Sequence, residues 1–481
     1  MSWVVEYILS FHNWWNKVNA VKRDVLGEKV AVLQSAAASA SAAAASSSTS
    51  SPQQNPPLLR MGVLSAAAIN YTAIWDPVST HPGVVITGVA ARDKSRAEAQ
   101  IASNKRFLPG GACTAHGSYA ALLAAPDVDA VYIPLPNGLH HRWALEALAH
   151  GKHVLVEKPV ASNAQQAREI RDAAARAGKV VLEAFHWRFH PSAHVVKQLL
   201  LGGEYGRVLA VDARAVIPGG VLKKDDIRFQ YGLAGGCCMD LTYVFSAIAY
   251  FAARDVADPN LEVEVVDAKA RLSTNDRLVD EAVTATLRIT DPNPYASASA
   301  STSTAPAEIK ATLSADLAQP KLFGLIPKVW AAGTPTVTIQ CERAEIVYEN
   351  FMGPWLSHRI AVVPVTRDPA TNAIVKRGTA TAGDGKSKPH TLKQFKGGPL
   401  WDREFSASTT GGADGGQEWW TTYRWQLEAF VRMIREGPGE GEAGYKGPWV
   451  GMDESIRVME MIDRTYEKLG LPLRGAVSAA E

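Results

Sequence analysis

The sequence predicts an α/β chain in which a doubly wound parallel sheet is followed by an α+β domain with a mostly antiparallel, open-faced sheet. Three observations carry that expectation. From Leu59 onward, short apolar runs alternate with helical patterns, which implies parallel βαβ units. Several of those runs end in turns of small, polar or proline residues, where an open parallel sheet binds its ligands. Beyond Pro191 the pattern becomes that of Leu261-Glu262-Val263-Glu264-Val265, whose period of two belongs to a sheet with one wet face.

In chain order, residues 1–30 are Trp-rich, with Val4, Ile8, Phe11, Trp15 and Val18 at helical spacing, and read as a helix docked on the body of the protein. Residues 31–58 are Ala/Ser-rich and then Pro/Gln-rich, a linker too poor in large apolar groups to fold alone. Residues 59–185 form the first domain. Its strands are expected at 59–64, 84–90, 130–133, 154–156 and 180–184, with helices ending near Ala102 and at 119–124, 141–150 and 163–177. Residues 186–475 form the second domain. Helices are expected at 194–201 and 238–253, and strands at 208–216, 261–272, 282–289, 309–314, 336–340, 345–348 and 359–363. Insertions fall near 291–306 and 366–416, and helices at 423–435 and 453–469, the last capped by Asp453, close the pattern.

A chain of 481 residues with 47% hydrophobic and 20% charged residues has the composition of an ordinary globular protein. Its 50 Lys+Arg against 48 Asp+Glu leave a net charge of +2, which points to neither nucleic acid nor an anionic membrane as partner. Four cysteines without zinc or redox spacing suggest a reducing compartment, and a cytoplasmic location is expected. No apolar run approaches the roughly 20 residues of a membrane span.

Chemistry concentrates at the strand ends. Val154-Leu155-Val156 delivers Glu157 and Lys158 and is stopped by Pro159, so the lysine is aimed at the crevice or is simply a surface lysine after a strand. An amine held in such a crevice can titrate nearer neutrality and act as acid or base. Ser65, Ala67 and Asn70 stand where a G-x-G-x-x-G fingerprint has glycines. The turn from Ser65 to Asn70 is then either a looser pyrophosphate cradle or a plain strand-to-helix turn. Ala91-Arg92 ends the second strand where an acidic residue would take the ribose of NAD; a guanidinium there suits a 2′-phosphate and NADP, unless it is an ordinary surface arginine. Pro134, Asn137 and His140 follow another strand end. His186, His190 and His194 recur every four residues, but Pro191 breaks the helix that a metal site of that spacing needs, so no metal is expected. Gly235-Gly236 runs into a helix on which Asp240 and Tyr243 share a face. A lysine near that tyrosine would favour its phenolate.

Glu157-Lys158-Pro159 after Gly151-Lys152-His153-Val154, preceded by Pro136-Asn137-Gly138-Leu139-His140, resembles the Gfo/Idh/MocA family of NAD(P)-dependent oxidoreductases. Ser65 to Ile69, Ala91-Arg92-Asp93, Trp187-Arg188-Phe189-His190-Pro191, Thr422-Tyr423-Arg424-Trp425-Gln426-Leu427 and Met461-Ile462-Asp463 are similar to its branch of dimeric dihydrodiol dehydrogenase and NADP-dependent D-xylose 1-dehydrogenase. The resemblance implies a Rossmann domain and an enzyme. Lys158 would serve in proton transfer and nicotinamide placement, Tyr243 as the second proton-handling group, and Asp240 beside them at the sugar. Ser65, Ala66, Ala67, Ala68, Ile69, Arg92, Pro134, Asn137, His140, Glu157, Trp187 and Arg188 would line the cofactor, NADP rather than NAD. The implied reaction is oxidation of an aldose such as D-xylose at C1 to the lactone, or of a trans-dihydrodiol, with Tyr243 or Lys158 removing the hydroxyl proton. The alternative from another class is a non-catalytic NADP-binding regulator or scaffold, which the missing glycines, the linker and the 366–416 excursion would suit. An apolar open-faced sheet would need covering, so a homodimer is expected.

Overall fold

The computed structural model describes residues 57–108, 113–295, 306–321, 333–368, 370–378, 388–398, 400–402, 416–438 and 445–475. The helix expected in residues 1–30, positions 31–56 of the linker and the insertion tip at 297–304 lie outside these residues.

The first sheet has six parallel strands: β1 (Leu59–Leu64), β2 (Val84–Ala90), β3 (Thr114–His116), β4 (Ala130–Ile133), β5 (His153–Val156) and β6 (Val181–Glu183). They lie in the order β3-β2-β1-β4-β5-β6, so the chain reverses its direction of travel between β1 and β4 and opens a crevice at their carboxyl ends. Met61, Val63, Val131, Tyr132 and Leu155 are all buried, as strands covered on both faces require. Thr114-Ala115-His116 carries no apolar run, and β3 gave no sequence signal; as a three-residue edge strand it needs only one partner. Helices cross between the strands. Asp93 caps α1 (Lys94–Ser103), Ser118 caps α2 (Tyr119–Leu123), α3 spans His140–Ala149, and Asn163 caps α4 (Ala164–Ala177).

The second sheet has nine strands: β7 (Val208–Pro218), β8 (Glu262–Leu272), β9 (Asp280–Asp291), β10 (Ala307–Gln319), β11 (Thr336–Cys341), β12 (Ala344–Glu349), β13 (Arg359–Arg367), β14 (Ile374–Arg377) and β15 (His390–Leu392). Its order is β14-β13-β12-β11-β7-β10-β9-β8, with β15 beside β13; every pairing is antiparallel except β7 with β10. The last two strands lie in the 366–416 insertion, whose sequence shows little periodicity. The inner face packs on α5 (Tyr243–Ala252), every residue of which is buried. The outer face departs from expectation: it presents Asp212, Glu264, Thr284, Arg288, Thr312 and Thr338, a polar surface whose Arg288 bridges to Glu264 at 2.7 Å. Apolar residues on that face, such as Val216, Val347 and Val363, are partly exposed and stand among polar neighbours. No single helix among the described residues is long and apolar enough to cross a membrane.

Two closing helices return to the first sheet. From α6 (Thr422–Glu436), Glu428 accepts from Arg424 and Arg432 at 2.9 Å each and lies 3.4 Å from His81, while Arg435 donates to the Gly83 carbonyl. From α7 (Met452–Leu469), Asp463 accepts the Ala164 amide at the start of α4. Asp453 is not the cap of α7; Gly451 holds that place without a side-chain bond, and Asp453 pairs with Arg171 instead.

Glu428 is a carboxylate shared by Arg424, Arg432 and His81, and Arg424 is 3% exposed. Glu428→Leu leaves a buried cation without its counter-ion, and urea or thermal unfolding should register a loss of about 3–5 kcal/mol.

Candidate active site

A cleft of about 860 Å³ runs across the carboxyl ends of β1, β2, β4 and β5 and is lined on its other side by residues of the second domain. Ser65, Ala66, Ala67, Ala68 and Ile69 line it at the end of β1. Ser65 has φ 147°, a backbone that glycine adopts without cost and serine does not. Side chains hold the turn in place of glycines. Buried Asn70 donates from Nδ2 to the Ser65 carbonyl (2.7 Å) and to Gln100 Oε1 (2.9 Å), and Gln100 Nε2 donates to the Ala67 carbonyl (3.1 Å). Among the described residues the amides of Ala66 to Ile69 donate to no protein acceptor, so four N–H groups remain for a ligand.

At the β2 end, exposed Arg92 lines the cleft with Arg96 and Tyr119. Neighbouring Asp93 does not line the cleft; its Oδ1 accepts the Ser95 amide at 2.9 Å as the cap of α1. Two guanidinium groups thus line this end of the cleft, a setting that suits an anionic ligand. Pro134 and Asn137 line the cleft after β4, and Asn137 Nδ2 reaches the Ala234 carbonyl across it at 3.2 Å.

The opposite end gathers Glu157, Lys158, Asp240 and Tyr243. Lys158 Nζ donates to the Asp240 carbonyl (2.9 Å) and to Asp240 Oδ1 (3.2 Å), leaving one of its three N–H groups. Burial alone would raise Asp240, but Lys158 and Arg228, whose Nε stands 3.0 Å from Oδ2, hold it below the usual carboxylate range. Burial pushes Glu157 up, against the pull of Lys158 and of the Tyr132 hydroxyl, which donates to Oε1 at 2.7 Å. The helix expected through 238–253 is broken after the short segment Cys237–Asp240, so Asp240 and Tyr243 do not share a helical face; both still reach the cleft.

Tyr243 also differs from expectation. Lys158 Nζ lies over its ring, 5.1 Å from the centroid, and its hydroxyl is 2.9 Å from His186 Nε2. Burial, reinforced by Tyr423, Glu157 and Asp240, holds the phenol well above its ordinary range, so the phenolate is disfavoured.

The segment bearing Asp240 is set by Gly236. At φ 141° it packs so tightly that a Cβ would fall 2.2 Å from Asp280 Oδ1 and 2.7 Å from the Tyr466 hydroxyl. Beneath it, fully buried Arg474 donates to Asp280 (2.9 Å) and to the Gly235 carbonyl (2.8 Å), and Asp280 Oδ2 accepts the Cys238 amide (2.8 Å).

Three expected cofactor residues do not line the cleft. His140 is buried with its ring nitrogens 2.7 and 2.8 Å from the Pro159 and Leu135 carbonyls, and so ties two cleft loops together from behind. Trp187 is fully buried against Tyr250, Phe251 and Phe351. Arg188 stacks 3.5 Å from the Tyr250 centroid and pairs with Glu454, because the 3-10 turn His186–Phe189 directs both side chains into the second domain. His186, His190 and His194 do not converge, and no metal-holding group occurs among the described residues. Arg228 and Tyr423 line the cleft without having been expected there. Tyr423 belongs to the Thr422-Tyr423-Arg424-Trp425-Gln426-Leu427 segment, whereas Arg228 sits on a three-residue 3-10 turn, Ile227–Phe229, too short for periodicity to mark.

Residues 59–185 match the family model for the GFO_IDH_MocA oxidoreductase family with an NAD-binding Rossmann fold. The chain is 39% identical over 198 residues to the D-xylose 1-dehydrogenase (NADP(+)) 2 of Haloferax volcanii, covering 40% of this chain and 57% of that one. It is 33% identical over 187 residues to the trans-1,2-dihydrobenzene-1,2-diol dehydrogenase of Macaca fascicularis, covering 38% and 52%. The chain thus spans about half the length of the curated relatives it matches. A 3-ketoreductase from Actinomadura kijaniata, solved in complex with NADP and TDP-benzene, superposes with a TM-score of 0.59 over 86% of this chain and 98% of that one at 22% identity, a likeness of fold.

Burial holds His81, His186 and His194 down to about 3, so each is neutral when folded and takes a proton on unfolding below about pH 6.5. Burial acts oppositely on Glu183 and Asp463, pushed up to about 7 and about 6, which release protons on unfolding. The three histidines outweigh the two carboxylates, so net uptake on unfolding is positive and stability should fall as the pH drops from about 6.5 to about 4.5. Thermal melts across that range check the sign.

Proposed function

With residues 59–185 matching the family model of the Gfo/Idh/MocA oxidoreductases, we propose that this chain is an NADP-dependent oxidoreductase of small polyhydroxylated carbinols. The substrate is an aldose such as D-xylose, oxidised at C1 to the lactone, or a trans-dihydrodiol. The observation that carries the reading is the convergence of Lys158, Asp240 and Tyr243 at one end of a cleft whose other end bears Arg92 and Arg96. The same cleft suits a dinucleotide phosphate, with unclaimed amides at Ala66 to Ile69 for the pyrophosphate and a guanidinium pair for the 2′-phosphate. When bound, the nicotinamide supplies the hydride chemistry.

The chain's own residues orient the carbinol and manage its proton. Lys158 spends two N–H groups on Asp240, which fixes the ammonium in place, and offers the third to the substrate oxygen. A positive charge there favours the oxyanion character that develops as the C–H bond breaks. In the reductive direction Tyr243, held as a phenol, gives its proton to the same oxygen, and in oxidation its minor phenolate form takes the carbinol proton and returns to the phenol. Asp240 keeps Lys158 positioned while Arg228 neutralises the remaining carboxylate oxygen. Support for the substrate class comes from the xylose and dihydrodiol dehydrogenases to which the chain is similar.

Lys158→Ala should keep NADP binding measurable by fluorescence while turnover falls by about 10²–10⁴-fold; near-normal activity refutes the role of Lys158. Arg92→Asp should shift preference from NADP towards NAD by at least about tenfold in kcat/KM, and an unchanged cofactor ratio refutes the assignment of Arg92. Absence of NADP reduction with every aldose and diol of a panel would favour the non-catalytic scaffold.

A further inference from the structure

The proposed proton chemistry uses Tyr243 but not the group bonded to it. Tyr243's hydroxyl has one hydrogen-bond partner among the described residues, His186 Nε2 at 2.9 Å. The other ring nitrogen, Nδ1, is 2.8 Å from Thr422 Oγ1, so the imidazole bridges the phenol to the first residue of α6. His186 is 5% exposed, Thr422 is fully buried, and the His186 ring lies 4.2 Å from that of Tyr423, which lines the cleft beside Tyr243. The phenol is thereby held from behind, on the side away from the cleft, by a rigid ring anchored at both nitrogens.

We infer that His186 is a positioning residue for Tyr243: a neutral imidazole that fixes the phenol's rotamer, and with it the direction and acidity of its proton, through an uninterrupted Tyr243–His186–Thr422 chain. The inference rests on the proposed role of Tyr243. Burial and the nearby Lys158 cation keep the ring neutral across the physiological range. A neutral ring carries one N–H and one lone pair, so of its two hydroxyl contacts it donates one and accepts the other. Whichever way the chain runs, the hydroxyl of Tyr243 has its hydrogen-bond role towards His186 fixed and presents the complementary role to the cleft. The charged and titratable groups around this unit are Lys158 and Glu157 from the end of β5, Tyr132 from β4, Asp240 and Arg228 from the second domain, and Tyr423 from α6. None of the acids or cations bonds the Tyr243 hydroxyl, so the imidazole is the group whose loss is felt there first.

Two substitutions separate the halves of the bridge. His186→Gln can place an amide near Nε2 and keep the bond to Tyr243; His186→Asn places its amide near Nδ1 and keeps only the bond to Thr422. The expected result is that His186→Gln stays within about threefold of wild-type kcat, while His186→Asn loses about tenfold or more. The Asn variant should also displace the pH limb of kcat, with KM for NADP unchanged in both. A readout that needs no turnover accompanies these. In ¹⁵N-histidine NMR of the protein without cofactor, the resonance assigned to His186 by its loss in His186→Asn should hold still between pH 5.5 and 8 and shift in Tyr243→Phe. Equal kcat and pH profiles in the Asn variant and wild type, or an Nε2 resonance indifferent to Tyr243→Phe, overturns the inference. If Tyr243→Phe itself turns over normally, the proposed role of Tyr243 fails instead, so the two failures are told apart.

Discussion

The contact on which the site depends is the one between Lys158 and Asp240. The ammonium comes from the end of a strand in the parallel sheet, and the carboxylate from a broken helix in the second domain. At 3.2 Å in a partly screened setting their gross attraction is on the order of 5 kcal/mol, enough to keep Asp240 ionised although burial works against it. Each group is about one-seventh exposed, so neither is free to wander into solvent. The pair therefore links the two domains and also aims the amine.

What makes that contact possible is backbone geometry rather than the two side chains. Gly235-Gly236 lets the chain pass close over Asp280, Tyr466 and Arg474, and the broken helix then presents Asp240 to the cleft. The Arg474–Asp280 pair is completely buried and fully bonded, to Gly235, Cys238 and Tyr466 as well as to itself. Such a pair adds little net stability but penalises any other arrangement of these segments. Similarly, Asn70 and Gln100 pin the first turn where glycines would have relaxed it.

Much of this was legible in the sequence because its signals are local. The boundaries of β1, β2 and β4 follow from short apolar runs bounded by turn residues. Lys158 was legible because proline follows it, and Arg92 because it ends a strand. The remainder depends on contacts between residues far apart in the chain. The break after Asp240 has no proline or glycine marker; Leu241 and Thr242 follow, both are buried, and tertiary packing decides it. Trp187 and Arg188 follow a strand end, as cleft residues do, but a 3-10 turn rotates them into the core. Arg228 and the bridge from His186 to Thr422 join positions that no periodicity relates. The polar outer face of the second sheet was misjudged because alternation reveals that one face is wet, not how wet it is.

The position of Arg474 ties the order of synthesis to the order of assembly. The six-stranded sheet is complete once Glu183 has been made, and the second sheet's described strands once Leu392 has. Yet the turn that presents Asp240 rests on a guanidinium almost three hundred residues after the first sheet closes. A growing chain can thus build both sheets while its cleft still lacks the support beneath Gly236. Until that arginine emerges, Asp280 is a carboxylate facing Tyr466 and the Cys238 amide without its counter-ion. The segment that presents Asp240 is in this sense supported by one of the last described residues of the chain.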